Sequence, residues 1–188
     1  MTSSQSRRAS DHQFESPSRY LKINAWNVEG LNPLKQQLAI NYMDKINSKA
    51  IILTETWLRH SLETPQPAET AWMRYDVIRS EIHGNARRGY GGVSVLYCLN
   101  YFSQADLQLC CCPDARWLIM TSPQAIIAGI YTNPSIPLDC FDASLNSLQV
   151  YLQKAEASHP NRPTIVAGDF NARLGAVNGD HSTNVRKA

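Results

Sequence analysis

Apolar and polar positions change period several times along this chain, and each change marks an element. Leu21, Ile23 and Ala25 alternate with polar neighbours, the period-two mark of a strand. Asn32-Pro33 then supplies a helix start, with Asn as N-cap and Pro at the first helical position. Leu34, Leu38, Tyr42 and Ile46 follow at four-residue spacing and are read as one apolar helical face. Residues 50–53 are wholly apolar, which suits a short strand buried on both sides. The opening unit is therefore strand–helix–strand.

Beyond a loop carrying Pro65 and Pro67, residues 75–78 are predicted to form a strand. Gly89, Gly91 and Gly92 mark a turn into a further alternating strand over residues 93–97. Residues 107–111, 117–120 and 125–131 read as three more strands, separated by Pro113 and Pro123. Phe141, Leu145, Leu148 and Leu152 set out a second amphipathic helix. Residues 164–167 form a last buried strand that runs into Gly168-Asp169-Phe170-Asn171. No internal repeat is present. The pattern is mixed α/β, with hairpins in the middle and a helix toward each end. Residues 1–18 differ: they are rich in Ser, Gln and Arg, with almost no large apolar side chains. Such a stretch cannot offset its ordering entropy by burial, so it is expected to be a disordered leader to a single domain over residues 19–188.

Composition narrows this only slightly. The 188 residues are 43% hydrophobic and 18% charged, ordinary values for one globular domain with a sizeable core. A formal net charge of +2 neither demands nor excludes a nucleic-acid substrate, because an enzyme needs only a local basic rim. The five cysteines are odd in number, three are adjacent and none forms a C-x-x-C pair. They argue against a disulfide framework or a zinc site and are expected to be buried small residues in a reducing compartment. No apolar run is long enough to span a bilayer, and the first residues lack the apolar core of a secretory signal. The expected setting is intracellular, nucleus or cytoplasm, with no membrane partner.

Polar residues of one kind sit where apolar strands end. Asn27 closes the first strand, Glu55 follows the second, and Asp169 with Asn171 follows the last. Strand ends on one edge of a sheet can converge, and loops there commonly carry active sites. A carboxylate beside a buried strand costs desolvation energy unless a cation or hydrogen-bond donors compensate it. Two carboxylates and two carboxamides gathered in this way would suit a hard divalent ion such as Mg²⁺ together with a phosphate. Taken singly, each is equally well read as a strand-end turn residue or cap.

Five segments in order resemble one family. Lys22-Ile23-Asn24-Ala25-Trp26-Asn27-Val28-Glu29-Gly30-Leu31 is similar to the opening strand motif of the endonuclease/exonuclease/phosphatase superfamily. Ile52-Leu53-Thr54-Glu55-Thr56-Trp57-Leu58 resembles its second motif, and Arg88-Gly89-Tyr90-Gly91-Gly92-Val93-Ser94-Val95 its glycine-rich hairpin. Ile130-Tyr131-Thr132-Asn133-Pro134 resembles the motif with the active-site tyrosine. Val166-Ala167-Gly168-Asp169-Phe170-Asn171-Ala172 is the most specific match. The implied fold is a DNase I-like four-layer α/β sandwich, two packed sheets flanked by helices, of which this chain carries the N-terminal part. Residues 168–175, followed by Gly179-Asp180-His181-Ser182-Thr183-Asn184, resemble most the endonuclease domains of non-LTR retrotransposons.

The resemblance implies roles. Glu55 would ligate Mg²⁺ (Mn²⁺ as a substitute), with Asn27 close to the metal or to the phosphate. Glu29 sits where many relatives keep an acidic residue behind the metal ligand. Tyr131 would contact the phosphate or help place the nucleophile. Asp169 would orient or deprotonate the attacking water, and Asn171 would hold the scissile phosphate. The implied activity is Mg²⁺-dependent phosphodiester hydrolysis, with DNA as substrate. The alternatives are a phosphoinositide or other small phosphoester, or a catalytically inactive truncated relic. Relatives later carry an Asp-x-Asn pair and a Ser-Asp-His motif that nothing after Asn171 supplies. Asp180-His181 comes too early and reads as a loop. The expectation is therefore of a truncated domain that leaves one sheet face apolar and exposed. His60, His83 and His159 match no metal spacing, and Trp26, Trp57, Trp72 and Trp117 read as core or hairpin packing. Arg87-Arg88 reads as a hairpin tip or an approach to DNA phosphates.

Overall fold

In the computed structural model, residues 20–59, 64–67, 71–78, 91–112, 114–133 and 137–171 are described. The expected leader over residues 1–18, His60, His83, Arg87-Arg88, Gly89, Tyr90, Pro113, Pro134 and Asp180-His181 lie outside them. The elements are β1 (Ile23–Asn27), α1 (Pro33–Lys45), β2 (Ala50–Thr54), β3 (Trp72–Val77), β4 (Val93–Cys98), β5 (Gln108–Cys111), β6 (Trp117–Thr121), β7 (Ile126–Tyr131), α2 (Leu138–Ser158) and β8 (Thr164–Asp169). They form two sheets, ordered β1-β2-β4-β3 and β5-β6-β7-β8. Each sheet holds one parallel pair, β1 with β2 and β7 with β8, and its other pairings are antiparallel. Each parallel pair is joined by a crossover helix, as parallel neighbours require.

The two sheets pack face to face. Ile52, Val93 and Val95 of one meet Leu118, Met120 and Ile127 of the other in the central core. At Gly129 the sheets leave little room: a Cβ there would lie 3.0 Å from the Ile52 side chain and 3.2 Å from that of Val93. Outside the first sheet, Ala39, Ile40 and Met43 of α1 cover Ile51, Leu53 and Leu96. Outside the second, Leu148 of α2, flanked by Leu145 and Leu152, covers Trp117, Ile119, Ile126 and Ala128. The layers run helix–sheet–sheet–helix, as expected.

The start of α1 follows the sequence reading: Asn32 Oδ1 accepts from the Lys35 N–H at 2.9 Å, and Pro33 is the first helical residue. Its buried face does not. Leu34, Leu38 and Tyr42 are 69%, 52% and 54% exposed, whereas Gln36, Ala39, Ile40 and Met43 are buried. Repeated four-residue steps drift around a helix of 3.6 residues per turn. The stripe that faces the sheet is i, i+3, i+4, i+7 counted from Gln36. Gln36 is tolerated there because its amide donates to the Pro65 carbonyl at 3.0 Å and its Oε1 accepts from Arg74. Arg74 is itself buried, gripping both Asp76 carboxylate oxygens at 2.7 and 3.0 Å and the Thr64 carbonyl at 2.6 Å. This network fastens residues 64–67 onto α1.

Two smaller expectations also change. All five cysteines are free, yet Cys112 is buried while Cys140 is exposed. Trp72 and Trp117 are core residues, but Trp26, on the terminal strand β1, is 37% exposed. Among the described residues no helix is long and apolar enough to cross a membrane.

Candidate active site

Parallel pairing places the C-terminal ends of β1 and β2 side by side, with Asn27 opposite Thr54 and Glu55 next. It does the same for β7 and β8, with Tyr131 opposite Asp169. Because the two sheets stack, these four strand ends meet at one pole. Asn27 Nδ2 donates to Asp169 Oδ2 at 2.7 Å, joining residues 142 apart in sequence. The Tyr131 hydroxyl donates to Glu55 Oε1 at 3.1 Å. The convergence that strand-end spacing left open is therefore present for Asn27, Glu55 and Asp169, and Tyr131, indicated by the resemblance, joins them.

Local backbone geometry shapes the cluster. Asn171 N–H donates to Asp169 Oδ1 at 3.0 Å, so both carboxylate oxygens have a donor. Glu29 N–H donates to Asn27 Oδ1 at 3.2 Å, which turns the carboxamide so that its NH₂ faces Asp169. Glu29 (φ 44°), Glu55 (φ 53°), Trp57 (φ 56°) and Asn171 (φ 45°) all adopt the left-handed region. A non-glycine residue held there costs ~1–2 kcal/mol and persists only where its surroundings impose it. The constraint on Glu55 is visible on both sides. Gly30 and Leu31 N–H groups donate to the Glu55 and Thr56 carbonyls at 2.8 Å each, and Trp57 N–H donates to the Gly91 carbonyl at 3.0 Å. Gly30 (φ +89°) has no room for a side chain, since a Cβ would lie 2.6 Å from the Trp57 ring.

Not every expected residue joins the cluster in its expected way. Glu29 contributes its backbone to the turn, while the residue as a whole is exposed. Asn171 directs its Nδ2 to the Thr132 carbonyl at 2.5 Å. Two residues at the site were given no role by sequence alone. Lys35 Nζ donates to the Val28 and Glu29 carbonyls at 2.5 and 3.0 Å, tying the turn after β1 to α1. Thr132 grips the turn after β8. Lys35 shows no sequence signal, whereas Thr132 lies inside the Tyr131 motif.

The oxygen-rich set here suits a hard cation that keeps several waters, because such ions need only one or two carboxylates. Among the described residues no group of three or more His, Cys, Asp or Glu residues gathers to hold a metal. If a cation binds here, Glu55 is the carboxylate that would hold it, as one whose Oε1 accepts from the Tyr131 hydroxyl. Burial, aided by the Cys111 thiol, pushes the Tyr75 hydroxyl up to about 12. Burial and a hydrogen bond with Asp114 push the Cys112 thiol up to about 12. Neither belongs to the cluster.

A family model described as the Endonuclease/Exonuclease/phosphatase family matches residues 25–187. The chain belongs to this family. The fold of this endonuclease/exonuclease/phosphatase domain is DNase I-like, and solved structures of that kind superpose on it. The 3′ phosphatase NExo from Neisseria, bound to a product DNA hairpin, matches with a TM-score of 0.59 and 17% identity over 81% of this chain and 58% of its own. An AP endonuclease from Archaeoglobus fulgidus matches with a TM-score of 0.50 and 15% identity over 81% of this chain and 58% of its own. The human Nocturnin catalytic domain with a bound sulfate matches with a TM-score of 0.50 and 16% identity over 79% and 62%. The chain thus spans about three fifths of the length of the structures it matches. Among curated proteins no relative matches.

Proposed function

We propose that this domain hydrolyses phosphodiester bonds in DNA with the help of a divalent cation. The observation that carries the reading is the Asp169 carboxylate, held on one oxygen by Asn27 and on the other by the Asn171 N–H. A carboxylate fixed by two donors beside a second carboxylate is arranged for general-base work next to a charged centre. In this reading Asp169 accepts a proton from water as its oxygen bonds to phosphorus, and the P–O bond to the leaving oxygen breaks. Asn27 keeps Asp169 aimed, and Tyr131 holds the Glu55 carboxylate in place. Glu55 would hold Mg²⁺, or Mn²⁺ in its place, which would supply a Lewis acid for the charge that builds on the phosphoryl oxygens. The family and the DNA-bound phosphatase among the matching structures support a nucleic-acid substrate. The sequence of residues 168–184 supports the retrotransposon subgroup.

The test is plasmid nicking by the purified chain with Mg²⁺, with EDTA, and with inositol phosphates as counter-substrates. Glu55→Ala and Asp169→Ala should each reduce nicking by ~10²–10⁴-fold, the range of a lost metal ligand or positioned base. Near wild-type nicking by either variant would refute the role assignment. Turnover of inositol phosphates in place of DNA would transfer the reading to small phosphoesters, and no turnover of either would make the chain an inactive relic.

A further inference from the structure

Thr132, the first residue after β7, is buried at 6% exposure and uses its N–H, hydroxyl and carbonyl on a single turn. Its N–H donates to the Asp169 carbonyl at 2.9 Å. Its hydroxyl donates to the Phe170 carbonyl and lies 3.4 Å from that of Asp169. Its own carbonyl accepts from Asn171 Nδ2 at 2.5 Å. The Phe170 carbonyl and the Asn171 N–H belong to one planar peptide unit, so holding the first orients the second. That N–H is the donor to Asp169 Oδ1. One rigid peptide therefore separates the Thr132 hydroxyl from the carboxylate.

We infer that Thr132 is a positioning residue, whose hydroxyl sets the Phe170–Asn171 peptide so that its N–H fixes Asp169 for proton transfer. The inference rests on the reading of Asp169 as the base. It explains why Asn171 stays at φ 45°: the peptide before it is clamped at its oxygen by Thr132 and at its N–H by Asp169.

Thr132→Val keeps the shape and removes the hydroxyl, and Thr132→Ser keeps the hydroxyl and removes the methyl. On the full chain, two readouts are taken: kcat and KM for plasmid nicking, and hydrogen exchange of the Asn171 amide by NMR. Losing a hydrogen bond worth a net ~1 kcal/mol or somewhat more should lower kcat roughly 5–20-fold in Thr132→Val while KM stays within about threefold. Asn171 exchange should accelerate by a similar factor, about 5–20-fold. Thr132→Ser should stay near wild type in both. A packing role predicts the reverse, with Thr132→Val near wild type and Thr132→Ser impaired, and that result overturns the inference. If Thr132→Val does not fold, Thr132→Ala is compared with Thr132→Ser by the same criterion. If the wild-type chain hydrolyses nothing, the base assignment falls, and exchange alone decides: faster in Thr132→Val but not in Thr132→Ser supports the clamp, and equal in all three overturns it.

Discussion

Replacing Gly168 with alanine tests whether the geometry of β8 builds the Asp169 site. Gly168 stands at φ +143°, a conformation open to glycine and strained for any residue with a Cβ. A Cβ there would lie 2.0 Å from the Ile130 carbonyl oxygen and 2.9 Å from the Ile130 carbonyl carbon and nitrogen. These are backbone atoms of the paired strand, with Ile130 directly opposite Gly168 in register, so no side chain can swing aside. Backbone strain of ~1–3 kcal/mol adds to overpacking of ~1–3 kcal/mol. Relief requires β8 to shift away from β7, at a cost of about 1 kcal/mol per ladder bond lost. The sum is roughly 3–7 kcal/mol, a large part of the ~5–15 kcal/mol that stabilises a typical domain. Urea denaturation would measure it, with nicking followed at low urea. Gly91→Ala is the internal control, because among the described residues its Cβ would meet only the Tyr131 ring, at 3.4 Å. It should cost ~1–2 kcal/mol, chiefly from its left-handed backbone. A loss below ~1 kcal/mol for Gly168→Ala would refute the argument that steric exclusion by β7 puts glycine before Asp169.

The remaining predictions concern packing and charge. Ile40→Ala, on the buried face of α1, should cost ~2–5 kcal/mol, whereas Leu38→Glu on the exposed stripe should stay within about 0.5 kcal/mol; urea midpoints showing the opposite order would restore the four-residue stripe as the packed face. Arg74→Ala should cost ~3–5 kcal/mol, because it strands the buried Asp76 carboxylate; a change under ~1 kcal/mol by the same measurement would mean that water replaces the guanidinium. Tyr75 and Cys112 are both raised to about 12 from 10.0 and 9.0, so the folded state holds these protons more tightly than the unfolded state. Their stabilisation is complete below about pH 9 and is lost as pH rises toward about 12. Thermal melts should fall across that window, and Tyr75→Phe should remove the part above about pH 10; a melting temperature that does not change with pH there would contradict it.

From local pattern alone came the order of elements, the N-cap and proline that start α1, the fully buried β2, and the polar residues at strand ends. Each is a property of neighbours in sequence: alternation sets a strand, and Asn32-Pro33 sets a helix start. The packed face of α1 was not legible, because Leu34, Leu38 and Tyr42 form as regular a series as Gln36, Ala39, Ile40 and Met43. The position of the sheet beneath the helix decides which series is buried. Nor could sequence show that Asn27 reaches Asp169 across 142 positions, since that depends on two parallel pairs stacking with their ends at the same pole. The left-handed backbone at Glu29 and Glu55 runs against the preference of those residues and is imposed by the strands on either side. Lys35 and Thr132 act through hydrogen bonds to backbone carbonyls, and which carbonyls lie within reach is decided only when the chain has folded.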